Sequence, residues 1–255
     1  MQDYKAPDIR NCALVGHAAT GKTTLCDAIL VTAGKIGRVG SVEAGSTVSD
    51  FHEDEKQHQV SIHATAVTTD WLDRELNLID CPGSPDFISE PLSALRVSDF
   101  ALIAVSGTSG VEVGTDEVWH AAEKAGIPKF FVVNQLDKEH TKFDAIIEEL
   151  REHFGGRVFP MTVPVDEGPG FSSILDVMRS EVISYPPDGS GKPTEKPAEG
   201  ELGEKVSDLH KQLIEAVAET DDALMEKFFE EETLSEEEIR EHVHDAVQQG
   251  LLVPV

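Results

Sequence analysis

The chain has 255 residues, with 21 Lys and Arg against 48 Asp and Glu, and its formal net charge is −27. This acidity argues against nucleic-acid binding by bulk electrostatics, which needs basic side chains, and against adhesion to an anionic membrane surface. A hydrophobic fraction of 40% is enough for a buried core. The three cysteines are too few for a disulfide framework, and no apolar run approaches the roughly 20 residues of a membrane span. No signal peptide is predicted either, so a cytoplasmic location is expected.

Strand-like and helix-like segments alternate over the first 160 residues. The predicted strands are residues 12–15, 60–66, 76–79, 100–105 and 130–133, and the predicted helices are residues 23–33, 87–97, 115–125 and 142–153. A charged turn at residues 73–75 predicts that the second and third strands pair as a hairpin. Alternation of helices with continuous apolar strands predicts an α/β fold, in which a mostly parallel sheet carries helices on both faces.

The pattern changes after residue 160. Residues 161–165 predict a strand, residues 171–182 a strand or a helix, residues 186–200 a loop without periodicity, and the chain from residue 203 onward a set of helices. Ser235 followed by three Glu residues predicts a capping box. Residues 195–255 hold 18 acidic and 5 basic residues, a formal charge of −13. Such a run is typical of a solvated helical face, and the alternative is a docking surface for a basic partner.

A phosphate-binding loop is predicted at residues 16–23, whose sequence GHAATGKT fits the pattern GxxxxGK followed by Ser or Thr. The segment lies between a predicted strand and a predicted helix, which is the context in which this pattern binds phosphate. Its glycines let backbone N–H groups face phosphate oxygens, and the helix N-terminus adds a positive dipole. Lys22 is expected to contact the β- and γ-phosphates, and the Thr23 hydroxyl is expected to bind Mg²⁺.

Two further motifs follow predicted strands, DCPG at residues 80–83 and NQLD at residues 134–137. The Asp80 carboxylate can hold Mg²⁺ through water, and the Gly83 N–H can meet a γ-phosphate. The Asp137 carboxylate can accept two hydrogen bonds from guanine, whereas adenine offers neither donor, and such sites discriminate by roughly 10⁴–10⁵. Each motif is weak alone, but all three follow strand ends, where open α/β sheets bind ligands.

In this order the three motifs resemble those of translational GTPases, specifically the G domain of elongation factor G. The similarity extends to VEVGT at residues 111–115, and it is nearest to the elongation factor G-like group also called elongation factor G-2. The resemblance implies a Ras-like P-loop NTPase fold with an inserted α+β subdomain. It implies a GTP-binding core at residues 1–157, an inserted subdomain with the acidic helices at residues 158–250, and the start of the last G-domain strand at residues 251–255. On this basis the chain is expected to stop short of that strand's end and of the family's second domain.

The resemblance also implies a set of site residues, with GTP or GDP and Mg²⁺ as the ligands. The implied catalytic residues are Lys22, Gly83 and Ser84, and the implied metal ligands are Thr23, Ser61 and Asp80. The implied nucleotide-binding residues are Gly16, His17, Ala18, Ala19, Thr20, Gly21, Lys22, Thr23, Thr24, Asp80, Gly83, Asn134, Gln135 and Asp137. Ser61 stands where the family has the Thr of its first switch; the alternative is a strand serine without a ligand.

Three departures from the family's pattern bear on activity. Ser84 replaces the His that positions the attacking water, Gln135 replaces the Lys of the guanine motif, and His58-Gln59 replaces the Arg-Gly before the switch residue. Because Ser84 is short and has no ring to reach that water, intrinsic hydrolysis is expected at or below the ~10⁻⁴ s⁻¹ of unstimulated P-loop GTPases.

Three functions remain open on the sequence. The first, implied by the resemblance, is a GTPase that acts on the ribosome in elongation or disassembly, mainly through domains outside this chain. The second is a GTP-dependent binding module that does not hydrolyse the nucleotide, and position 84 favours it. The third, a P-loop ATPase or small-molecule kinase, is disfavoured by Asp137. Basic ribosomal-protein segments are candidate partners of the acidic helices; no membrane and no direct electrostatic nucleic-acid contact are expected.

Overall fold

The structure is a computed structural model, which describes residues 4–186, 192–231 and 235–255. The chain divides into two compact units, Met1–Asn134 and Gln135–Val255. The first unit contains the predicted phosphate loop and the DCPG motif, and the second contains the acidic helices.

The first unit is built on one five-stranded sheet. Its strands are β1 (Ile9–Gly16), β2 (Thr65–Trp71), β3 (Arg74–Asp80), β4 (Phe100–Ser106) and β5 (Lys129–Asn134). They are ordered β2-β3-β1-β4-β5, with β2 antiparallel to β3 and all other pairs parallel. Its helices are α1 (Lys22–Thr32), α2 (Glu53–His58), α3 (Ser89–Leu95) and α4 (Val113–Ala125). The predicted α/β fold with a mostly parallel sheet is confirmed.

Strand β1 lies at the centre of this sheet, and both of its faces are covered. Cys12 and Leu14 pack with Leu25 of α1, whereas α3 and α4 also contact this strand. Ala13 and Val15 are buried as well, and strand periodicity turns them to the face opposite Cys12 and Leu14. Burial on both faces explains why the strand is apolar without alternation. The parallel strands end at one edge of the sheet, and the loops that follow them carry the predicted motifs.

The segment before β2 differs from the sequence prediction. Alternation at residues 60–66 predicted a strand, but the strand begins at Thr65, and the preceding helix α2 was not predicted. The buried Glu55 accounts for the difference, because its Oε1 accepts hydrogen bonds from the N–H groups of Ile62 and His63. A side chain therefore satisfies backbone donors that a sheet partner would otherwise satisfy.

The predicted hairpin between β2 and β3 is confirmed, but its turn lies elsewhere. Trp71 pairs with Arg74, so the turn consists of Leu72 and Asp73, with φ of 47° and 59°. Two positive φ values are the mark of a type I′ turn, whose twist matches that of the strands. Residues 74 and 75, which were assigned to the turn, belong to β3.

The second unit combines short strands with helices. Its helices are α5 (Phe143–Phe154), α6 (Glu201–Ala218), α7 (Asp222–Glu231) and α8 (Glu236–Gln248), and its strands are β6 (Val158–Phe159), β7 (Thr162–Pro164), β8 (Ser173–Asp176), β9 (Glu181–Ser184), β10 (Thr194–Pro197) and β11 (Val253–Pro254). Strands β7 to β10 form an antiparallel sheet in chain order, and β6 and β11 form a parallel pair.

The structure tests two sequence predictions for this unit, one for residues 171–182 and one for residues 186–200. The segment at residues 171–182, left open between strand and helix, contains β8 and the start of β9, which pair as a hairpin. The prediction of a loop without periodicity over residues 186–200 is wrong at residues 194–197, because β10 forms there and pairs with β9. All four residues of β10 are exposed, so the hydrogen bonds of the sheet edge, not apolar burial, define this strand. Residues 187–191 lie outside the described residues.

The acidic helices are amphipathic. Leu213, Ile214 and Val217 of α6 are buried at helical spacing. The predicted capping box is confirmed, since Ser235 Oγ accepts a hydrogen bond from the Glu238 N–H at 3.3 Å and precedes α8. None of the helices in the described residues combines the length and apolar character that crossing a membrane requires.

Candidate functional site

The phosphate loop joins β1 to α1 at the carboxyl edge of the sheet. Gly16 ends β1 with φ +139°, and a Cβ there would overlap the carbonyl oxygen of Ala104 on the neighbouring strand β4. Gly21, in the left-handed conformation, precedes the first helical residue. The chain thus turns from a buried strand directly into the N-terminus of α1, where free N–H groups favour an anion.

Lys22 is the central cation of this loop. Its side chain is buried, and its Nζ donates hydrogen bonds to the carbonyl oxygens of Gly16 at 3.0 Å and His17 at 2.6 Å. Burial lowers the pKa of the ammonium to about 8, and the nearby charge of Asp80 opposes that shift. A buried cation held by two neutral carbonyls is electrostatically undercompensated, so it favours an incoming anion.

The DCPG motif follows β3 and lies against the phosphate loop. A Cβ at Gly83 would overlap Lys22 Nζ and the backbone nitrogen of Ala18, so only glycine fits this close approach. Ser84 is half-buried and precedes a short 3-10 turn at Pro85–Phe87. Lys22, Gly83 and Ser84, the predicted catalytic residues, therefore share one neighbourhood.

Hydroxyl and carboxylate oxygens converge next to this lysine. The Thr23 Oγ1 lies 3.1 Å from the Ser61 Oγ, and Ser49 Oγ donates a 2.6 Å hydrogen bond to Asp80 Oδ2. Asp80 is buried, and burial raises the pKa of its carboxyl to about 6, although the Ser49 hydrogen bond opposes the change. Ser61 lies in the segment between α2 and β2, not in a strand, so its hydroxyl is directed by a loop.

Asp50 was missed by the sequence analysis. Burial raises the pKa of its carboxyl, with an opposing hydrogen bond from Ser61. Its Oδ2 and the Oδ1 of Asp80 are buried without a hydrogen-bond partner. The sequence offered little signal for Asp50, because it lies in an irregular segment with no motif around it. Asp27, also missed, accepts hydrogen bonds from the Gly40 and Val48 N–H groups and so fixes this segment on α1.

These oxygens fit a magnesium ion. Mg²⁺ prefers carboxylate, hydroxyl and water oxygens, and the unpartnered Asp50 and Asp80 oxygens are buried acceptors of that type. A cavity of about 240 Å³ lies beside Asp50; its lining includes Gly21, Lys22, Thr23, Thr24, Asp50, Val60, Ser61 and Gly83. The cavity is thus bordered by one cation, several backbone N–H groups and a set of oxygen ligands.

The other predicted loop residues have distinct surroundings. His17 Nδ1 accepts a hydrogen bond from the Gly114 N–H at 3.3 Å, and its Nε2 lies 3.5 Å from Glu112. Thr20 is buried, and its Oγ1 donates a hydrogen bond to the His17 carbonyl oxygen at 3.0 Å, so its side chain stabilises the loop itself. Ala18 and Ala19 line the cavity, Ala19 with φ +60°, and Thr24 is exposed at its border.

The NQLD motif begins at the end of β5. The Asn134 Nδ2 donates a 2.9 Å hydrogen bond to the Thr20 carbonyl oxygen, which ties the end of β5 to the phosphate loop within the first unit. Gln135 and Asp137 belong to the second unit. Gln135 adopts φ +65°, its carbonyl oxygen accepts from the Lys138 N–H, and the Asp137 carboxylate is exposed in this turn.

Comparisons with known proteins agree with this arrangement. The family model described as "Elongation factor Tu GTP binding domain" matches residues 7–249. The crystal structure of ttk003000868 from Thermus thermophilus superposes with a TM-score of 0.90 at 36% identity, over 97% of this chain. The chain spans 37% of the length of that protein. The matched residues include the phosphate loop and both later motifs, and the chain belongs to the elongation factor Tu GTP-binding domain family.

Proposed function

We propose that this chain is the nucleotide-binding part of a translational GTPase of the elongation factor G-like group, nearest to elongation factor G-2, and that it binds GTP or GDP with Mg²⁺. The observation that carries the proposal is the buried Lys22 ammonium beside the cavity of the phosphate loop. In this proposal residues 1–157 form the GTP-binding core, residues 158–250 form the inserted subdomain, and residues 251–255 belong to the last strand of the core.

The chain's own groups then have separate tasks. Lys22 exchanges its carbonyl partners for β- and γ-phosphate oxygens, which gives its buried charge a full counter-charge. The Gly83 N–H contacts the γ-phosphate and so distinguishes GTP from GDP. Thr23, Ser61 and Asp80, with Asp50, would hold Mg²⁺, which supplies charge neutralisation on the phosphates.

Guanine selectivity is assigned to the NQLD motif. Asn134 holds the phosphate loop, and Asp137 accepts two hydrogen bonds from the base. Calorimetry with GDP and ADP tests this assignment: GDP should bind and ADP should not. Asp137→Ala should remove the difference, whereas Asp144→Ala, an exposed aspartate of α5, should leave it intact. Equal affinity of the unaltered chain for ADP and GDP would exclude the proposal.

Hydrolysis is proposed to be slow without a stimulating partner. Ser84 carries no ring that could orient water beside the γ-phosphate, so the single-turnover rate should stay at or below about 10⁻⁴ s⁻¹. Ser84→His should raise the rate about tenfold or more, because a positioned general base contributes roughly 10²–10⁴. Ser93→His, on the exposed face of α3, is the matched control. A rate of about 1 s⁻¹ for the unaltered chain would contradict slow intrinsic hydrolysis.

The second candidate function is a GTP-dependent binding module that does not hydrolyse the nucleotide. Ser84 favours this function. Binding of a γ-phosphate can change the conformation of the segment from Asp50 to Ser61, and that change does not require a group that activates water. Phosphate release measured with the full-length protein and ribosomes separates the two functions. Stimulated release supports the GTPase, and nucleotide binding without release supports the module.

The ribosome is the proposed partner of the whole protein, which would place it in the cytoplasm. On α8, the exposed Glu237, Glu241 and Asp245 follow one another at intervals of four residues, opposite the buried Ile239 and Ala246. This acidic stripe is either a solvated face or a docking surface for basic ribosomal-protein segments. The acidic run at residues 230–232 suits such a test less well, because residue 232 lies outside the described residues.

Neutralising the acidic stripe decides between these alternatives. Converting its three acids to the corresponding amides should lower ribosome-stimulated activity if the stripe docks a basic segment. The control is Glu148→Gln combined with Glu152→Gln, two exposed acids of α5. Unchanged stimulation in the stripe variant would leave solubility as the role of this surface.

A further inference from the structure

Three metal-ligating side chains meet on the surface of the first unit. They are His52, which precedes α2, Asp54 in its first turn, and His63, two residues before β2. One ligand atom from each lies within 4.8 Å of the others. His63 Nε2 is 3.4 Å from Asp54 Oδ2, and the His52 and His63 rings have their centroids 4.6 Å apart. All three side chains are exposed, and none belongs to the nucleotide site.

The backbone N–H groups of His52 and His63 both donate hydrogen bonds to one buried carboxylate. Glu55 is 1% exposed, and its Oε2 accepts a hydrogen bond from the His52 N–H at 3.2 Å. Its Oε1 accepts from the N–H groups of Ile62 at 3.1 Å and His63 at 3.0 Å. One buried side chain therefore fixes both histidine backbones, which are eleven positions apart in the chain. A ligand set held in this way loses less conformational freedom on binding than an unsupported surface cluster.

The Asp54 carboxylate is oriented as well. Its Oδ1 accepts a hydrogen bond from the Glu55 N–H at 3.0 Å, which leaves Oδ2 on the side of His63. The separation of 3.4 Å between Oδ2 and His63 Nε2 matches the edge of a tetrahedron with metal–ligand bonds of about 2.0–2.1 Å, which is ~3.3 Å. A surface ion pair between the same two groups is the simple alternative, and it would contribute little stability.

We propose that His52, Asp54 and His63 form a site for a zinc-type divalent cation. Two imidazoles and one carboxylate suit Zn²⁺ or Co²⁺, with water completing the coordination, and they do not suit Mg²⁺, which prefers oxygen ligands. This site is chemically distinct from the oxygen ligands around Asp80. The cation would join the start of α2 to the segment that follows it.

Ser61 lies within the segment that the cation would close. Its hydroxyl is 3.1 Å from that of Thr23 in the present arrangement. A cation on His52 and His63 would stabilise this arrangement and thereby oppose release of the nucleotide. This coupling rests on the proposed nucleotide-binding function, whereas the cation site rests on the three side chains alone. Because linkage is reciprocal, bound nucleotide should raise the cation affinity by the same factor.

Metal titration tests the site on the folded chain. Zn²⁺ is titrated by calorimetry, first without nucleotide and then with saturating Mg²⁺ and GDP, and Co²⁺ absorption reports tetrahedral coordination. The test variant is His52→Ala with His63→Ala. The matched control is His120→Ala with His244→Ala, two exposed histidines outside the cluster and outside the segment from Asp50 to Ser61. The control should bind a single Zn²⁺ as the unaltered chain does, and the test variant should bind it at least about tenfold more weakly.

Folding and coupling are measured separately. Asp54→Asn, which keeps the side-chain shape, should also weaken Zn²⁺ binding, and it replaces the double variant if that variant does not fold. Zn²⁺ should slow GDP dissociation about threefold in the unaltered chain and in the control, and not in the test variant. Equal Zn²⁺ affinity in test and control variants, or displacement of Zn²⁺ by excess Mg²⁺, overturns the site. Tight Zn²⁺ binding without any effect on GDP dissociation overturns the coupling between the two sites. Failure of the chain to bind GDP overturns the proposed function, but the Zn²⁺ titration without nucleotide remains a valid test of the cation site.

Discussion

Charged side chains are treated in opposite ways at the phosphate loop of the first unit and on the acidic helices of the second. Lys22 and Asp80 are buried, and burial displaces the pKa of each toward neutral pH. On α8, Glu237 and Glu241 are exposed to water. Glu238 accepts a hydrogen bond from Lys227, and this bond holds the pKa of its carboxyl at about 2.

The buried charges of the phosphate loop are suited to binding a ligand, whereas the exposed charges of the acidic helices are solvated by water. A buried charge with incomplete partners destabilises the folded state until a ligand of opposite charge arrives. An exposed charge is solvated by water and contributes little to stability in either direction. Substitutions at the phosphate loop should therefore change ligand affinity more than stability, whereas substitutions on the acidic helices should leave ligand affinity unchanged.

The largest expected effect comes from Lys22→Ala. Hydrogen bonds to charged groups contribute roughly 1.5–3 kcal/mol each, so losing two on phosphate should lower GDP affinity about a hundredfold or more. The stability of the nucleotide-free chain should change by less than about 1 kcal/mol, because lost hydrogen bonds and relief of a buried charge oppose each other. Calorimetry and urea unfolding give the two values, and Lys35→Ala, an exposed lysine beyond the end of α1, is the control. An affinity within tenfold of the unaltered chain would remove Lys22 from the site.

Asp80→Asn should have the next largest effect, and its sign depends on pH. The carboxyl pKa rises from 3.8 to about 6 in the folded chain, so between these values the folded state holds more protons than the unfolded state. The stability of the nucleotide-free chain therefore falls as pH rises through this range, and the contribution stays lost above it. The variant lacks this loss of stability, so at pH 7 it should be more stable than the unaltered chain, on the order of 3 kcal/mol.

The gain in stability of the Asp80→Asn variant should vanish below about pH 4. There the Asp80 carboxyl of the unaltered chain is protonated in both the folded and the unfolded state. Urea unfolding in a chelator at the two pH values measures this, and Asp86→Asn, an exposed aspartate, should show no such difference. The same Asp80 variant should bind GDP more weakly in Mg²⁺. A variant that is less stable at pH 7 and binds GDP normally would reverse the comparison.

The smallest expected effect lies on the acidic helices. Ser235→Ala removes the hydroxyl that accepts from the Glu238 N–H and should destabilise the chain by about 1 kcal/mol. GDP affinity should not change, because the cap is a local feature of α8. Ser207→Ala, an exposed position inside α6, should leave stability within about 0.5 kcal/mol. A change in GDP affinity on loss of the cap would show that the two regions are not independent.

The sequence determined the fold class and the order of the motifs. Continuous apolar strands such as residues 12–15 require cover on both faces, and GHAATGKT between a strand and a helix has few structural interpretations. The capping box at Ser235 and the β2–β3 hairpin followed from local rules as well. These features depend on neighbouring residues, so a single sequence contains them.

Only the tertiary structure determined the conformation and the side-chain contacts of the segment between Asp27 and Ser61. Glu55 holds the start of a segment with strand-like alternation, residues 60–64, in a loop, because its buried carboxylate satisfies backbone donors there. Asp50 lines the same cavity as Thr23 and Ser61 and interacts electrostatically with Asp80, although no motif marks it. The pairing of His52 with His63 likewise depends on Glu55 below them. Such contacts join positions that are distant in the chain and are set by burial, and no local pattern records which buried donor a carboxylate will meet.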